Sequence, residues 1–251
     1  MALWSHSPSS ADALKERNIL VTGASAGIGR AAAECFAAHG ARVILLGRDE
    51  ARLEAVYDAI VARGDPQPII HSLDLARAVE SDYRVLASAI EDELGCLHGL
   101  LHNAALLGPR TPIENYAAAA WLELMQVNVN AAFLLSKALI PALRAAPDAS
   151  VIFTTSGVGR VGRAYWGGYA VSKFAIEGLS QVLADELATT TNIRVNCLNP
   201  GPTNTAMRRS AFPAEEPTRN PDPERLMPAY LYLIGAASIG TTGKSLDAQA
   251  G

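Results

Sequence analysis

The sequence predicts an α/β fold: a three-layer, doubly wound parallel sheet in which the whole chain, residues 1–251, forms a single domain. Three observations lead to this class. Short apolar runs alternate with longer helical patterns from end to end, as in a parallel sheet with helices on both faces. The runs are nearly continuous in apolar residues, as expected for strands buried on both faces. No linker or internal repeat interrupts the alternation.

The strands are predicted from short apolar runs. They comprise residues 19–21, 42–46, 68–73, 97–102, 151–154 and 193–198, with a weak final strand at 245–246. A helical pattern separates consecutive runs through the first six strands, which is the crossover connection that parallel strands require.

The helices are predicted from the longer amphipathic stretches between these runs. They comprise residues 28–39, 50–62, 80–94, 118–143 and 169–187. Gly40, Gly64 and Gly95 end the first three, at a position where glycine is favoured because it accepts a left-handed backbone.

One segment, at about residues 203–228, fits neither pattern. It contains five prolines and mixed charges. A disordered spacer is one interpretation. A substrate lid is favoured, because the segment follows the carboxyl end of a strand, where folds of this kind bind ligands.

Composition excludes several function classes. The net charge of −4 argues against a nucleic-acid-binding face. Three cysteines and five histidines show no metal-ligand spacing and no disulfide framework, so we expect no metal and a reducing, cytoplasmic location. The first twelve residues do not resemble a secretory signal. The most apolar stretch, residues 127–143, is interpreted as a buried helix, and no membrane span is expected.

A glycine-rich turn lies between the first strand and the first helix. Gly23, Gly27 and Gly29 are spaced as Gly-x-x-x-Gly-x-Gly, with Ser25, Ala26 and Ile28 between them. Glycine lets the backbone approach a ligand closely, and the following helix offers free N–H groups to a pyrophosphate. This strand–turn–helix context favours a dinucleotide site over a bare tight turn.

Arg48 follows the second strand. NAD-binding proteins often carry an acidic residue here for the ribose 2′-hydroxyl, whereas an arginine suits the 2′-phosphate of NADP. Asp49 and Glu50 weaken the local positive field, and a solvated loop arginine is the alternative. NADP is the preferred cofactor, and NAD stays possible.

Tyr169 and Lys173 lie one helical turn apart on the same face. A nearby ammonium favours a phenolate, so the pKa of Tyr169 is predicted to fall below its ordinary value of about 10. A phenol tuned in this way exchanges a proton with an alcohol near neutral pH. Tyr165 is the competing candidate, but position 169, four residues later, is not a lysine.

These motifs occur together and in one order. They are residues 22–29, Asn103-Ala104, Asn128, Ser156, Tyr169, Lys173 and Asn199-Pro200-Gly201. In this combination the chain resembles the short, single-domain short-chain dehydrogenases/reductases over nearly its whole length, and more closely the YciK-type oxidoreductases. The resemblance implies a Rossmann-type NAD(P)-binding domain and a homodimer or homotetramer formed mainly through the helices that end near residues 146 and 187.

The resemblance also implies the catalytic roles. Tyr169 would be the acid/base, and Lys173 would lower its pKa and hold the nicotinamide ribose. Ser156 would hydrogen-bond the substrate oxygen. Asn128 would fix a water that links Lys173 to solvent, with Asn130 as the alternative.

The remaining implied roles concern the cofactor. Thr205, after Pro200, Gly201 and Thr203, would hold the nicotinamide amide. Asp74 and Leu75, after the third strand, would contact the adenine. Asn103 and Ala104 would line the adenosine side. The chain departs from the family at His102 and Ala105, where asparagine and glycine are usual.

The sequence therefore predicts an NADP(H)-dependent oxidoreductase that interconverts a carbonyl and an alcohol of a small molecule by hydride transfer. The alternative is a dinucleotide-binding sensor or structural subunit with little turnover. Ala105 and the absence of a substrate signal motivate that alternative, and the intact Ser156, Tyr169 and Lys173 argue against it.

Overall fold

The computed structural model describes residue 10 and residues 12–249, and these contain one seven-stranded parallel sheet. The strands are β1 (Asn18–Thr22), β2 (Arg42–Gly47), β3 (Ile69–Ser72), β4 (Gly99–His102), β5 (Ala149–Thr154), β6 (Ile193–Asn199) and β7 (Ser245–Asp247). Their order across the sheet is β3-β2-β1-β4-β5-β6-β7, and every neighbouring pair is parallel. The predicted absence of a secretory signal falls mostly on residues outside the described part of the chain.

Eight α-helices connect the strands of the described chain. They are α1 (Gly27–Ala38), α2 (Glu50–Ala62), α3 (Glu80–Leu94), α4 (Ala118–Met125), α5 (Ala131–Arg144), α6 (Gly167–Ala188), α7 (Ala206–Ala211) and α8 (Met227–Ile234). A π-helical turn, Gln126–Asn130, joins α4 to α5.

The helices cover both faces of the sheet and bury it between two apolar clusters. Helices α3, α5 and α6 pack on one face, around Tyr83 and Phe153. Helices α1, α2 and α8 pack on the other, around Phe36 and Tyr230. The predicted three-layer, doubly wound α/β fold is confirmed.

The strand order alone indicates where a ligand site lies. The chain runs outward from β1 through β2 and β3, then returns to the other side of β1 and runs outward through β4 to β7. The loops after β1 and β4 therefore diverge at the carboxyl edge of the sheet, and such a switch point is where these folds bind ligands.

Two helices were not predicted, and one predicted helix is divided. Helix α8 is apolar on all sides and nearly all of it is buried, so it lacks the periodicity that marks a surface helix. Helix α7 lies inside the segment at 203–228, which also contains the short 3₁₀ turns 217–219 and 223–226. This segment has defined structure, which argues against the disordered spacer.

The predicted helix at 118–143 is interrupted by the π turn. The stretch Ala118–Arg144 is the one part of the described chain that is long and apolar enough to cross a membrane, judged by length and composition alone. One third of its most apolar window is buried. The prediction of a buried helix therefore holds for one face, and the other face reaches the surface.

Candidate active site

A crevice of about 750 Å³ opens at the carboxyl edge of the sheet. Its walls come from the turn after β1, the loops after β4, β5 and β6, the start of α6, and α7. The predicted site residues that line it are Gly23, Ala26, Gly27, Ile28, Asn103, Ala104, Ser156, Tyr169, Lys173, Pro200, Gly201, Thr203 and Thr205. The fold thus brings most of the predicted site to one place.

The glycine-rich turn requires glycine at three positions. Gly23 and Gly27 have φ values of 66° and 54°, in the left-handed region that favours glycine. A Cβ on Gly29 would lie 2.6 Å from Nδ2 of Asn103 and nearer still to the carbonyl oxygen of Gly23. Any side chain at Gly29 would therefore push the turn away from the loop after β4.

The start of α1 faces the crevice with free N–H groups. Ala26 is the N-cap and provides no side-chain cap, and the first turn holds no acidic residue. The amide groups of this turn and the helix dipole are consequently available to a phosphate. Ala26, Gly27 and Ile28 all line the crevice.

Thr22 fixes the loop after β4 against the end of β1. Its hydroxyl oxygen accepts hydrogen bonds from the N–H groups of Asn103, at 2.9 Å, and Ala104, at 3.0 Å. The same hydroxyl donates to the carbonyl oxygen of Leu101. These three bonds place Asn103 and Ala104 beside the glycine turn.

Tyr169, Lys173 and Ser156 meet where α6 passes the end of β5. Tyr169 and Lys173 are buried, at 9% and 4% exposure. The ammonium of Lys173 lies 5.6 Å from the centroid of the Tyr169 ring and donates a 2.8 Å hydrogen bond to the carbonyl oxygen of Thr154. All three residues line the crevice. Tyr165 is exposed, and its backbone is left-handed, with φ of 69°.

The predicted direction of the Tyr169 pKa is wrong for the protein without cofactor. Burial raises the pKa of Tyr169 to about 12, against the opposing effect of a hydrogen bond with Ser156. Burial also lowers the pKa of Lys173 to about 8. The physical reason is that desolvation penalises the charged form of each group, while the ammonium is bonded to the Thr154 carbonyl instead of the phenol.

Asn128 lies in the π turn and clamps the loop after β4. Its side-chain oxygen accepts from the N–H of Leu106 at 2.7 Å, and its Nδ2 donates to the carbonyl oxygen of Leu106 at 2.9 Å and to Oγ of Ser172 at 3.0 Å. The Asn128 side chain therefore connects the loop after β4 to α6. Asn130, the alternative, is exposed and donates to Gln126, which argues against it.

A second, small cavity lies behind the crevice. Its volume is about 10 Å³, and Lys173, Asn128 and His102 are among its lining residues. His102 is stacked on Phe153 and bonded to Ser136 at 2.8 Å. Burial lowers the pKa of His102 to about 3, so this histidine is neutral and packs as part of the core.

Five predicted cofactor residues do not line the crevice, and the buried Gly29 is one of them. Ser25 is half-buried in the glycine turn, and Leu75 is buried and lines the small cavity. Arg48 is exposed after β2. Asp74 follows β3 and accepts a 3.0 Å hydrogen bond from the N–H of Ala76. Arg48 and Asp74 share the carboxyl edge of the sheet with the crevice, on the β2 and β3 side of β1.

The loop after β6 is held by the carboxyl-terminal segment. Gln249 donates to the carbonyl oxygens of Pro200 and Pro202, each at 2.7 Å. Thr205 ends the loop as the N-cap of α7, because its hydroxyl accepts from the N–H of Arg208 at 3.1 Å. This loop lines the crevice beside the glycine turn, because a Cβ on Gly27 would lie 3.5 Å from Cγ2 of Thr205.

An aromatic and cationic cluster lies at the crevice, where two arginines that were not predicted pack against Trp166 and Phe212. The guanidinium of Arg110 lies 4.8 Å from the Trp166 ring and 5.0 Å from the Phe212 ring, and it donates to the carbonyl oxygen of Ala211. Arg208 stacks on Phe212 at 3.8 Å. Arg208 and Phe212 are four residues apart, whereas Arg110 and Trp166 come from other loops, so the sequence alone does not show the whole cluster.

The described residues contain no cluster of three or more histidine, cysteine, aspartate or glutamate side chains that could hold a metal. The site combines a phenol, an ammonium and a hydroxyl beside a glycine-rich turn whose free N–H groups suit a phosphate. That combination matches a dehydrogenase site of the doubly wound class.

The comparisons with known proteins agree. A family model of the short chain dehydrogenases matches residues 17–216, and the chain belongs to this family of oxidoreductases. It is 50% identical over 240 residues to the uncharacterized oxidoreductase YciK of Escherichia coli K12, covering 96% of this chain and 94% of that protein. The resemblance stated from the sequence is confirmed.

Two solved structures are also close. A short chain dehydrogenase from Pseudomonas syringae superposes with a TM-score of 0.95 at 54% identity, covering 96% of this chain and 98% of the other. A short chain dehydrogenase from Shigella flexneri 2a, complexed with NADP, superposes with a TM-score of 0.93 at 48% identity, covering 96% and 100%.

We predict that Lys173→Met stabilises the protein at pH 7 by about 1 to 3 kcal/mol, because the substitution removes a buried charge whose desolvation opposes folding. The pKa of Lys173 is lowered from 10.5 to about 8 in the folded state. Between pH 8 and pH 10.5 the unfolded state therefore binds more protons at Lys173 than the folded state does. The free energy of unfolding of the wild type consequently increases as the pH rises from about 8 to 10.

Urea unfolding of wild type and Lys173→Met at pH 7 and pH 9.5 measures this. The difference between the two proteins should shrink at the higher pH. A variant that is less stable at both pH values would mean that the bond to the Thr154 carbonyl outweighs the cost of burying the ammonium.

Proposed function

We propose that this protein is an NADP(H)-dependent oxidoreductase that interconverts a carbonyl and an alcohol, with Tyr169 as the acid/base. One observation carries the proposal: Tyr169, Ser156 and Lys173 line the same crevice as the glycine turn. A phosphate-binding turn and a proton donor in one crevice are what hydride chemistry on a carbonyl requires.

In the proposed chemistry the cofactor and the side chains have separate roles. A bound nicotinamide supplies or accepts the hydride. In the reducing direction Tyr169 donates its proton to the carbonyl oxygen, and the raised pKa keeps the phenol protonated until that oxygen becomes negative. Ser156 donates a hydrogen bond to the same oxygen and stabilises the developing charge.

Lys173 is proposed to act on Tyr169 through a bound cofactor. With a pKa of about 8 the amine is mostly protonated at neutral pH, so it can hold the ribose hydroxyls as a donor and favour the phenolate after proton transfer. The small cavity beside it, lined by Asn128, has about the volume that one water needs. A water there would return a proton to Lys173, as the family resemblance implies for Asn128.

NADP is preferred over NAD because Arg48 keeps a free guanidinium. Asp49, the neighbouring acid, is occupied: it caps α2 through the N–H of Arg52 and pairs with the Arg52 side chain at 3.1 Å. Within the described chain Arg48 has no hydrogen bond or ion pair of its own, so its charge is available to a 2′-phosphate. The relative from Shigella flexneri was solved with NADP. The family resemblance also supports Asp74 and Leu75 as the residues that contact the adenine of the cofactor.

The segment at about 203–228 is proposed to close over the substrate. Met207, Ala211 and Phe212 line the crevice, and Arg110 ties this segment to the loop after β4. Cation–π contacts of this kind are worth about 0.5–2 kcal/mol each, which suits a lid that opens during each turnover.

A homodimer or homotetramer is proposed from an apolar surface. Helices α4 and α6 pack side by side, and Leu122 of α4 and Val171, Phe174 and Val182 of α6 are each at least 43% exposed. The three α6 residues follow helical spacing on one face. A contiguous apolar patch on a protein surface marks an interaction site.

A cytoplasmic location is proposed from the thiols. Cys35, Cys96 and Cys197 are free, and burial raises the pKa of Cys35 to about 11 and that of Cys197 to about 12. Such thiols are inert structural residues, as is usual in a reducing compartment.

The second candidate is a cofactor-binding sensor with little turnover. Ala105 lines the crevice, where its methyl group would take space that glycine leaves to a cofactor. Micromolar NADPH binding without oxidation of NADPH by any member of a broad carbonyl panel would favour the sensor over the enzyme.

We predict that Tyr169→Phe lowers kcat by about 100- to 10,000-fold, because it removes the proton donor and little else. Steady-state oxidation of NADPH with a carbonyl substrate measures the loss. The fold and the NADPH affinity should change little.

Tyr165→Phe is the matched control, since Tyr165 precedes Tyr169 by four residues in the chain and is exposed. Its kcat should stay within about twofold of wild type. Undiminished activity in Tyr169→Phe, or an equal loss in both variants, would rule out the proposed acid/base.

We predict that Arg48→Asp weakens NADPH binding by about 10- to 100-fold and leaves NADH binding equal or tighter, because the new carboxylate repels a 2′-phosphate and accepts from a 2′-hydroxyl. Fluorescence titration of both cofactors against both proteins checks this. Tighter binding of NADH than NADPH by wild type would overturn the NADP assignment.

We predict that Phe174→Glu shifts the mass in light scattering from two or four times 26.4 kDa to 26.4 kDa, because a buried carboxylate at an apolar interface is costly. Val85→Glu is the control, because Val85 is an exposed residue of α3, and this variant should keep the wild-type mass. A wild-type mass of 26.4 kDa would contradict the oligomer.

A further inference from the structure

The charged residues of the crevice are all cationic. Arg163, Arg208 and Lys173 line it, and no aspartate or glutamate among the described residues does. A wall with only positive charges favours an anionic ligand. The cofactor phosphates account for part of this, because the start of α1 faces the same crevice.

Two of the three cations already have partners. Nε and Nη2 of Arg208 each donate a 2.6 Å hydrogen bond to one carboxylate oxygen of Glu215. This pairing lowers the pKa of Glu215 to about 2. Lys173 is bonded to the Thr154 carbonyl and faces Tyr169. Neither is left for an anion on the substrate.

Arg163 is the cation that remains. It is exposed, and its side chain has no hydrogen bond, ion pair or ring contact with any described residue. Its backbone is held, however, because its carbonyl oxygen accepts from the N–H of Trp166 at 3.2 Å. This turn ends at the buried Trp166, three residues before Tyr169. Arg163 is therefore anchored near the reacting centre with a free guanidinium.

Apolar side chains share the crevice wall with Arg163. Val161 lines the crevice two residues earlier and is 73% exposed. Val158 and Met207 also line the crevice, and both pack in one apolar cluster with Trp166 and Tyr169. An apolar body and a single negative charge are the two features that this wall can recognise.

We propose that Arg163 is a substrate-binding residue that selects carbonyl compounds, or the matching alcohols, with an apolar body and a terminal carboxylate. The guanidinium would bind the carboxylate by a bidentate, charge-assisted contact, while the apolar body packs on Val161 and Trp166 with its reacting carbon at Tyr169. This inference rests on the proposed function, because it places the substrate beside Tyr169.

Binding without turnover tests the inference directly. The protein saturated with NADP⁺ is titrated with 4-phenylbutanoate and with its neutral amide, 4-phenylbutanamide, by isothermal titration calorimetry. Wild type should bind the acid about tenfold tighter than the amide, because the charge-assisted bond is partly screened at an exposed arginine. Arg163→Gln should remove that preference by weakening the acid alone.

Two further variants separate this from a general charge effect. Arg163→Lys keeps the charge and loses the planar fork, so it should retain part of the preference. Arg209→Gln removes a nearby exposed arginine that pairs with Asn204 and does not line the crevice, so it should behave as wild type. Equal binding of acid and amide by wild type, no binding of either, or an undiminished preference in Arg163→Gln would each overturn the inference.

Turnover distinguishes this failure from that of the proposed function. Wild type is assayed with NADPH and 4-oxo-4-phenylbutanoate or its methyl ester. Reduction of the ester as fast as the acid would overturn the selectivity and leave the redox function standing. A clear acid preference in binding, with no reduction of any carbonyl tested, would support Arg163 as an anion site and overturn the redox function.

Discussion

The bond between the ammonium of Lys173 and the carbonyl oxygen of Thr154 is the constraint on which the site depends. It joins the first turns of α6 to the last residue of β5, and so it fixes Tyr169 on one side and Ser156 on the other. A buried ammonium needs an acceptor of this kind, because leaving it unpaired would cost several kcal/mol. Without that acceptor the conformational freedom of the long lysine side chain would return.

Most of the fold follows from two periodicities in the sequence. Strands buried on both faces are continuous apolar runs, and β1 to β6 were located within about two residues of their bounds. Helix α8 was not predicted because it is buried on nearly every side and shows no polar face. The π turn was not predicted because its sequence pattern does not differ from that of an α-helix. Helix α7 was not predicted because its six residues lie next to a proline-rich stretch, and prolines normally mark a loop.

The site was predictable as a set of residues and less so as a set of interactions. The glycine turn and Tyr169 with Lys173 carry their spacing in the sequence. The direction of the Tyr169 pKa depends on burial, which one helical turn does not reveal, and the partners of Asn128 depend on a loop 22 residues away. Arg163 and Phe212 line the crevice from separate loops, and Arg110 packs on the Phe212 ring; only the folded chain shows them together.

The π turn has a consequence for how this chain tolerates insertions and deletions. A π turn holds about one residue more than an α turn, and the wider turn absorbs that residue locally. Removing one residue between 126 and 130 would restore an uninterrupted α-helix and leave α4 and α5 in nearly the same relative orientation. Asn128 would lose its alignment with Leu106, although it would still be present in the sequence. Its placement thus depends on a count of residues, a property that scans of single substitutions never sample.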